Sequence, residues 1–397
     1  MRPDEIRERT AAAIGVGREP GLVVPPRLEP GSRVIAAMSG GVDSSVAAAL
    51  LRAAGLEVVG VSMRLASSRR RDDGHRGCCS LDDFEDARRV ARRLEIPHYV
   101  VDLRESFAAN VVAAFQEAYL AGRTPNPCTL CNRDVKFGVF REYAETLSAC
   151  AVATGHYARI TEEGEGELAL RAARDPRKDQ SYFLFTLGQA DLRTTLFPLG
   201  DMDKDSVRAI ARALELPVAD KPESQDVCFV VGESYADFVE RETDPSRWRG
   251  GRIVNEEGRE VGRHGGIHRF TVGQRRGLGG GAALPQYVLA IDGSSGDVRI
   301  GPREALARSG FRVREVSWTT RPHRGPARVR LRHRHDPVPC SIEPGSDGAT
   351  VRFPEPTIGV TPGQAAVWYD GDRVIGGGWI ERTEIAQTPA PAAALAV

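Results

Sequence analysis

Apolar and polar positions alternate in two different rhythms along this chain. From Val34 to Met38 it is continuously apolar; SGGVDSS follows, and then SSVAAALLRAA. That order reads as a buried strand, a glycine turn and a helix. Glu57 to Met63 reads as a second strand, and Ser80 with Asp83 forms a capping box for a helix through Leu94. Phe84, Ala87, Val90, Ala91 and Leu94 share one face of that helix. His98 to Val101 gives a third strand, Phe107 to Tyr119 and Asn132 to Leu147 two further helices, and Ala151 to Thr154 a fourth strand. Strands alternating with helices of this length predict an α/β fold with a parallel sheet covered on both faces and ligands at the carboxyl ends of its strands. After about Ala219 the rhythm shortens. GRIVNEEGREVG reads as a hairpin, and FRVREVSW, ARVRLRH, ATVRF, AAVWY and RVIGGGWI are short strands that predict a small β-barrel.

The expected organisation is a poorly ordered extension over 1–32, a parallel-sheet catalytic domain over 33–220, a small central, mostly β domain over 221–303, a C-terminal β-barrel over 304–384, and a flexible Ala/Pro-rich tail over 385–397. A length of 397 residues fits several cores. Hydrophobic residues make up 41% and charged residues 27%, and no apolar run is long enough to span a bilayer, so no membrane partner is expected. The first residues carry both charges and lack the apolar core of a signal peptide, which points to the cytoplasm. Seven cysteines, an odd number in so long a chain, argue for working thiols over a disulfide framework.

Basic and acidic residues balance at 54 each, so a polyanionic partner must be held by local patches. Only four of the basic residues are lysines: Lys136, Lys178, Lys204 and Lys221. Lys136, Lys178 and Lys221 fall in or beside motifs, where a slim ammonium suits better than a planar fork; Lys204, inside the helix-like MDKDSVRAIARAL, reads as chance.

Three motifs carry chemistry. In AAMSGGVDSS, Ala36 to Ser45, two glycines let the backbone curl close to an anion, serines offer hydroxyls, and the following helix points its free N–H groups at the same spot. The absence of GxxxxGK[ST] sets it apart from the P-loop; the pattern resembles the PP-loop of ATP pyrophosphatases, which holds pyrophosphate while an adenylate is transferred. In GRTPNPCTLCNRDVKFG, Gly122 to Gly138, two prolines stiffen a loop and Cys131 falls at the start of the next helix, whose dipole favours a thiolate. Cys128 and Cys131 form a CxxC, half a zinc site or a redox pair, with no second CxxC to complete it. In KPESQDVCFV, Lys221 to Val230, Cys228 opens an apolar strand.

Together these motifs, with GCCS (77–80), ATGHYAR (153–159), KDQSYFL (178–184), TVGQRRGLG (271–279) and TPGQAAVWY (361–369), resemble the tRNA 2-thiouridylase family over Val34 to Glu381. The resemblance implies a PP-loop domain of the adenine nucleotide α-hydrolase-like fold, and an enzyme that uses ATP and Mg2+ to adenylate O2 of the wobble uridine and then delivers sulfur. Ala37, Met38, Ser39, Gly40, Gly41, Val42, Asp43 and Ser44, with Met63 and Gly155, would hold ATP. Cys228 would carry the incoming sulfur as a persulfide, and Cys131 would attack it, releasing sulfide or closing a Cys131–Cys228 disulfide. Asn126, Pro127 and Cys128 would contact the target base, Lys178, Asp179 and Gln180 the anticodon arm, and Arg332 and His333 the backbone; His156 and Gln364 would also touch tRNA.

In the best-known branch of that family an Asp stands where this chain has Cys128. Cys128, Cys131 and Cys228 could instead hold a [4Fe-4S] cluster. Cys78 and Cys79 read as packing. The implied partners are tRNAs with a wobble uridine, the lysine, glutamate and glutamine acceptors, and a persulfide donor, either a cysteine desulfurase or a sulfur-relay protein. Between Phe311 and His335 stand eight arginines, three histidines and one acid, which suits a phosphate-backbone clamp. Two rival readings are a PP-loop ligase that adenylates a small molecule, which gives the cysteines no work, and a redox-sensing RNA-binding protein, which leaves SGGVDSS unexplained.

Overall fold

The computed structural model describes residues 1–15, 28–66, 81–223, 227–278 and 284–385. The capping serine Ser80, the pair Cys78 and Cys79, the end of the 271–279 block and the tail beyond 385 lie outside these residues.

Strands β1 (Arg33–Ala37), β2 (Glu57–Arg64), β3 (His98–Asp102) and β4 (Ala151–Ala153) pair in parallel. Strands β5 (Ala158–Glu162) and β6 (Leu168–Ala172) then leave the sheet, and β7 (Thr195–Leu196) returns to it, giving the order β3-β2-β1-β4-β7. Both faces of β1 are buried, which is why it reads as an uninterrupted apolar run. Val34 and Ala36 pack with Val46 and Leu50 of the helix Val42–Ala53. Ile35 and Ala37 pack on the opposite side with Val111, Val135 and Phe140. The helix Leu81–Leu94 buries the five residues expected of it, Phe84, Ala87, Val90, Ala91 and Leu94.

The first residues depart from the expected disorder. A helix, Pro3–Ile14, starts with proline in its first turn and acids at Asp4 and Glu5, and it buries Ile6 and Thr10. Ile6 joins the same core as Val207 and Ile210 of the helix Lys204–Ala213.

The central domain pairs β8 (Gly251–Val254) with β9 (Glu260–His264) as the expected hairpin, beside β10 (Tyr287–Ile291) and β11 (Val298–Gly301). The barrel comprises β12 (Arg308–Trp318), β13 (Gly325–Arg330), β14 (Val338–Gly345), β15 (Gly348–Thr357), β16 (Ala365–Asp370) and β17 (Arg373–Ile385), closed by pairing of β12 with β17. Strand β14 escapes the sequence reading because Pro337, Pro339 and Pro344 punctuate it. The hairpin β5–β6 joins the barrel sheet at β17, through Arg171 opposite Arg373. Its Ala158, Leu168 and Leu170 pack against Ala365, Val367, Val374 and Trp379, so the catalytic part of the chain and the barrel share a core.

Candidate active site

The SGGVDSS turn lies where β1 ends and the helix Val42–Ala53 begins. Gly40 takes a φ of +74°, and a Cβ there would collide with the carbonyl of Asp83. Ser44 Oγ accepts the N–H of Ser39 at 3.1 Å and lies 3.2 Å from Ser39 Oγ. The turn is thus tied across its mouth by its own serines. At the end of β4, Gly155 lets that strand's exit lie against the helix start: a Cβ there would stand 2.7 Å from the Ser44 nitrogen. Met38 and Val42 are buried beneath the turn.

Around the turn stands a set of ion pairs. Asp43 Oδ1 accepts from Tyr157 Oη at 2.8 Å and from Lys204 Nζ at 2.6 Å. Lys204, read as chance in the sequence, has a side chain only 7% exposed, and its ammonium also reaches Glu223 Oε1 at 2.7 Å. Glu223 Oε2 pairs in turn with Lys178. Although partial burial works against it, the two lysines hold the Glu223 carboxyl down to about 2. Lys221 donates to the Gly40 carbonyl at 3.0 Å and to Asp83 and Asp86 at 2.7 and 2.6 Å. Three of the four lysines therefore surround this turn. The lysine scarcity was the sequence signal for Lys204, and helical phase masked it.

Asn126 caps a helix that starts at Pro127, accepting the Thr129 N–H at 3.3 Å. This corrects the expected start at Asn132: Cys128, exposed, lies in the first turn, and Cys131, buried, begins the π-helical stretch Cys131–Val139. The dipole argument for Cys131 loses force one turn in. Cys228 is half-buried and lies in a turn closed by Val230 N–H to Val227 O at 3.0 Å, where a strand was expected. Cys131 belongs to the apolar cluster that includes Val59 and Val61 of β2, and Met63, Cys228 and Phe229 pack against that same cluster. The fold thus joins cysteines that are distant in sequence.

Among the described residues no group of three or more His, Cys, Asp or Glu side chains is placed to hold a metal ion, so nothing in the structure supports Cys128, Cys131 and Cys228 as ligands of a cluster. Asp43 keeps Oδ2 without a partner among the described residues, which fits one carboxylate contact to Mg2+ beside phosphates.

The residues expected to touch tRNA divide. Asp179 is buried: it accepts from Arg330 at 2.6 Å and from the N–H groups of Ala173 and Ser181, while its carbonyl lies 2.8 Å from His333 Nε2. Gln180 Oε1 accepts the Tyr157 N–H at 3.0 Å. Gln364 donates to the carbonyls of Thr124 and Pro125, both at 3.1 Å, anchoring the barrel to the loop before Asn126. His156 bonds Thr154 at 2.7 Å between the rings of Phe137 and Phe197; burial, with Lys136 nearby, holds its pKa well below the usual value. Arg332 is exposed beside Gly273 of the central domain.

A parallel-sheet nucleotide fold with an SGGVDSS turn, joined to a β-domain and a β-barrel, defines a multidomain class built on a PP-loop domain. Family models match in that order: the tRNA methyl transferase HUP domain over 32–232, the tRNA methyl transferase PRC-barrel domain over 236–302, and the aminomethyltransferase beta-barrel domain over 308–380. Proteins named tRNA-specific 2-thiouridylase MnmA are similar across nearly the whole chain. That of Geotalea uraniireducens is 49% identical, covering 88% of this chain and 95% of its own. That of Syntrophotalea carbinolica is 48% identical, covering 89% and 99%. The chain belongs to the tRNA-specific 2-thiouridylase family. Among solved structures, a 4-thiouridine synthetase–RNA complex with bound ATP overlays at a TM-score of 0.32 and 18% identity, over 50% of this chain and 45% of that one.

Proposed function

We propose that the chain is an ATP-dependent sulfurtransferase that converts the wobble uridine of tRNA to its 2-thio form. Family membership supports the reaction class. The observation that supports the mechanism is that Cys131, Cys228 and Met63 share one apolar cluster on the sheet whose central strand ends in the SGGVDSS turn.

Uracil O2 is a poor leaving group, so it first attacks the α-phosphate of ATP and expels pyrophosphate. Serine hydroxyls and the helix N–H groups at Ser39 to Ser45 suit the departing phosphates. Mg2+, held in part by Asp43, would offset phosphate charge. The terminal sulfur of a Cys228 persulfide then attacks C2 and displaces AMP. The Cys131 thiolate attacks the Cys228 sulfur, which frees the thiolated base and leaves a Cys131–Cys228 disulfide. A thiol reductant and the persulfide donor reset the pair. The route uses the cysteines as thiols and needs no iron–sulfur cluster to balance.

The test is ATP–pyrophosphate exchange with and without tRNA, followed by mass spectrometry of tRNA nucleosides after supply of ATP and a persulfide donor. Exchange that requires tRNA, with appearance of 2-thiouridine, supports the reading. Exchange without tRNA would point to a small-molecule ligase and overturn it.

A further inference from the structure

We propose that Lys204 and Lys178 take the phosphate tail of ATP, and that Glu223 holds their ammonium groups until the nucleotide arrives, so that carboxylate and triphosphate compete for one site. The inference rests on the ATP reading above and adds two binding residues and a placeholder to it.

Lys204 projects from the first turn of the helix Lys204–Ala213, and its ammonium touches Asp43, a residue of the SGGVDSS turn itself. An amine so placed lies within a side chain's reach of any phosphate seated on that turn. Its second contact, Glu223, comes from a different segment of the chain, the one that leads to Cys228. That same carboxylate bridges to Lys178, and Arg208 stands 3.9 Å from it. Glu223 therefore occupies the meeting point of three cations beside the turn. A carboxylate there presents two oxygens to two ammonium groups, as a phosphate would, but carries one negative charge where a triphosphate carries several.

Lys178, Lys204 and Arg208 bring three positive charges to the two carboxylates of Asp43 and Glu223, so the group keeps a net positive charge that suits a phosphate. Lys204, its side chain 7% exposed, takes both Asp43 and Glu223 as partners, so Glu223 supplies the second of its two counter-charges. Arriving phosphates would displace it from both lysines. Lys221, two residues before Glu223, stays fastened to the Gly40 carbonyl, Asp83 and Asp86, so the displacement would be confined to the chain beyond it.

Calorimetric titration of the full chain with MgATP, tripolyphosphate and adenosine tests this, on the native protein and on Glu223→Gln, Lys204→Gln and the double variant. Glu223→Gln should bind MgATP and tripolyphosphate up to about fivefold more tightly, the scale of a partly exposed ion pair, with adenosine unchanged. Lys204→Gln should weaken both phosphate ligands about tenfold or more, and in the double variant the gain from Glu223→Gln should shrink. If Lys204→Gln fails to fold, Lys178→Gln replaces it. A Glu223→Gln protein that binds MgATP no more tightly than the native one overturns the proposal. Native protein that fails to bind MgATP at all overturns the ATP reading itself, which separates the two failures.

Discussion

Cys228 acts after the nucleotide in the proposed sequence of steps, and this order can be read from single substitutions. Cys228→Ser should abolish 2-thiouridine formation while tRNA-dependent pyrophosphate exchange persists; retained thiolation would remove this thiol from the mechanism. His156 gives a different handle. Its folded pKa lies well below the ordinary 6.5, so below pH 6.5 the unfolded chain takes up a proton that the folded chain refuses, and stability falls as pH falls. His156→Gln should therefore lose less stability than the native protein between pH 7.5 and 5.5, measured as the shift of the urea midpoint. Equal losses would mean that the imidazole is protonated in the fold. Ser39, Gly41, Cys131 and Cys228 were legible in the sequence because their motifs are local in the chain. Lys204 was not, because its partners Asp43 and Glu223 come from distant segments and only the fold shows that its ammonium is buried between them.

The elements followed the same rule. Strands β1, β2 and β4 and the helix Leu81–Leu94 announced themselves through burial on one or both faces, a pattern carried by many residues at once. The helix Pro3–Ile14 did not, because it buries only Ile6 and Thr10 and the rest of its surface is alanine and charge. Its anchorage is nonetheless specific. Ile6→Ala should cost about 2–5 kcal/mol, the range for truncating a buried isoleucine, and should appear as a lower melting temperature of the catalytic domain. No change in melting would mean that this helix is a passive appendage. The helix at Cys131 shows a subtler limit. Asn126 and Pro127 carry ordinary start signals, yet a loop rich in proline conceals them, and the helix starts one turn early, with Cys128 exposed and Cys131 buried.

For the whole molecule, the sequence marked an arginine-rich face but could not say which arginines are already committed. Arg330 is bound to Asp179, and Arg312, Arg314 and Arg324 pair with Asp347, Glu315 and Glu343. Arg275, Arg276, Arg332 and Arg334 carry no ion pair among the described residues, and Arg332 lies beside Gly273, two residues before Arg275. Replacing Arg332 and Arg334 by alanine should weaken tRNA binding and flatten its dependence on salt, the slope falling by roughly one for each phosphate no longer neutralised, with MgATP affinity unchanged. An unaltered slope would show that this face meets only solvent. The placement of β5 and β6 bears on a stage of the protein's life that precedes any reaction. Ala158, Leu168 and Leu170 pack in one core with Tyr182, Leu184 and Phe185 nearby in the chain, but the rest of that core comes from β16 and β17, about 200 residues further along. At about 5–20 residues per second, a ribosome would present that apolar hairpin for roughly 10–40 s before its cover is translated. During synthesis the half-made enzyme thus carries a sticky edge beside its nucleotide domain, and a chain truncated before β16 should be recovered from cells bound to chaperones or in inclusion bodies.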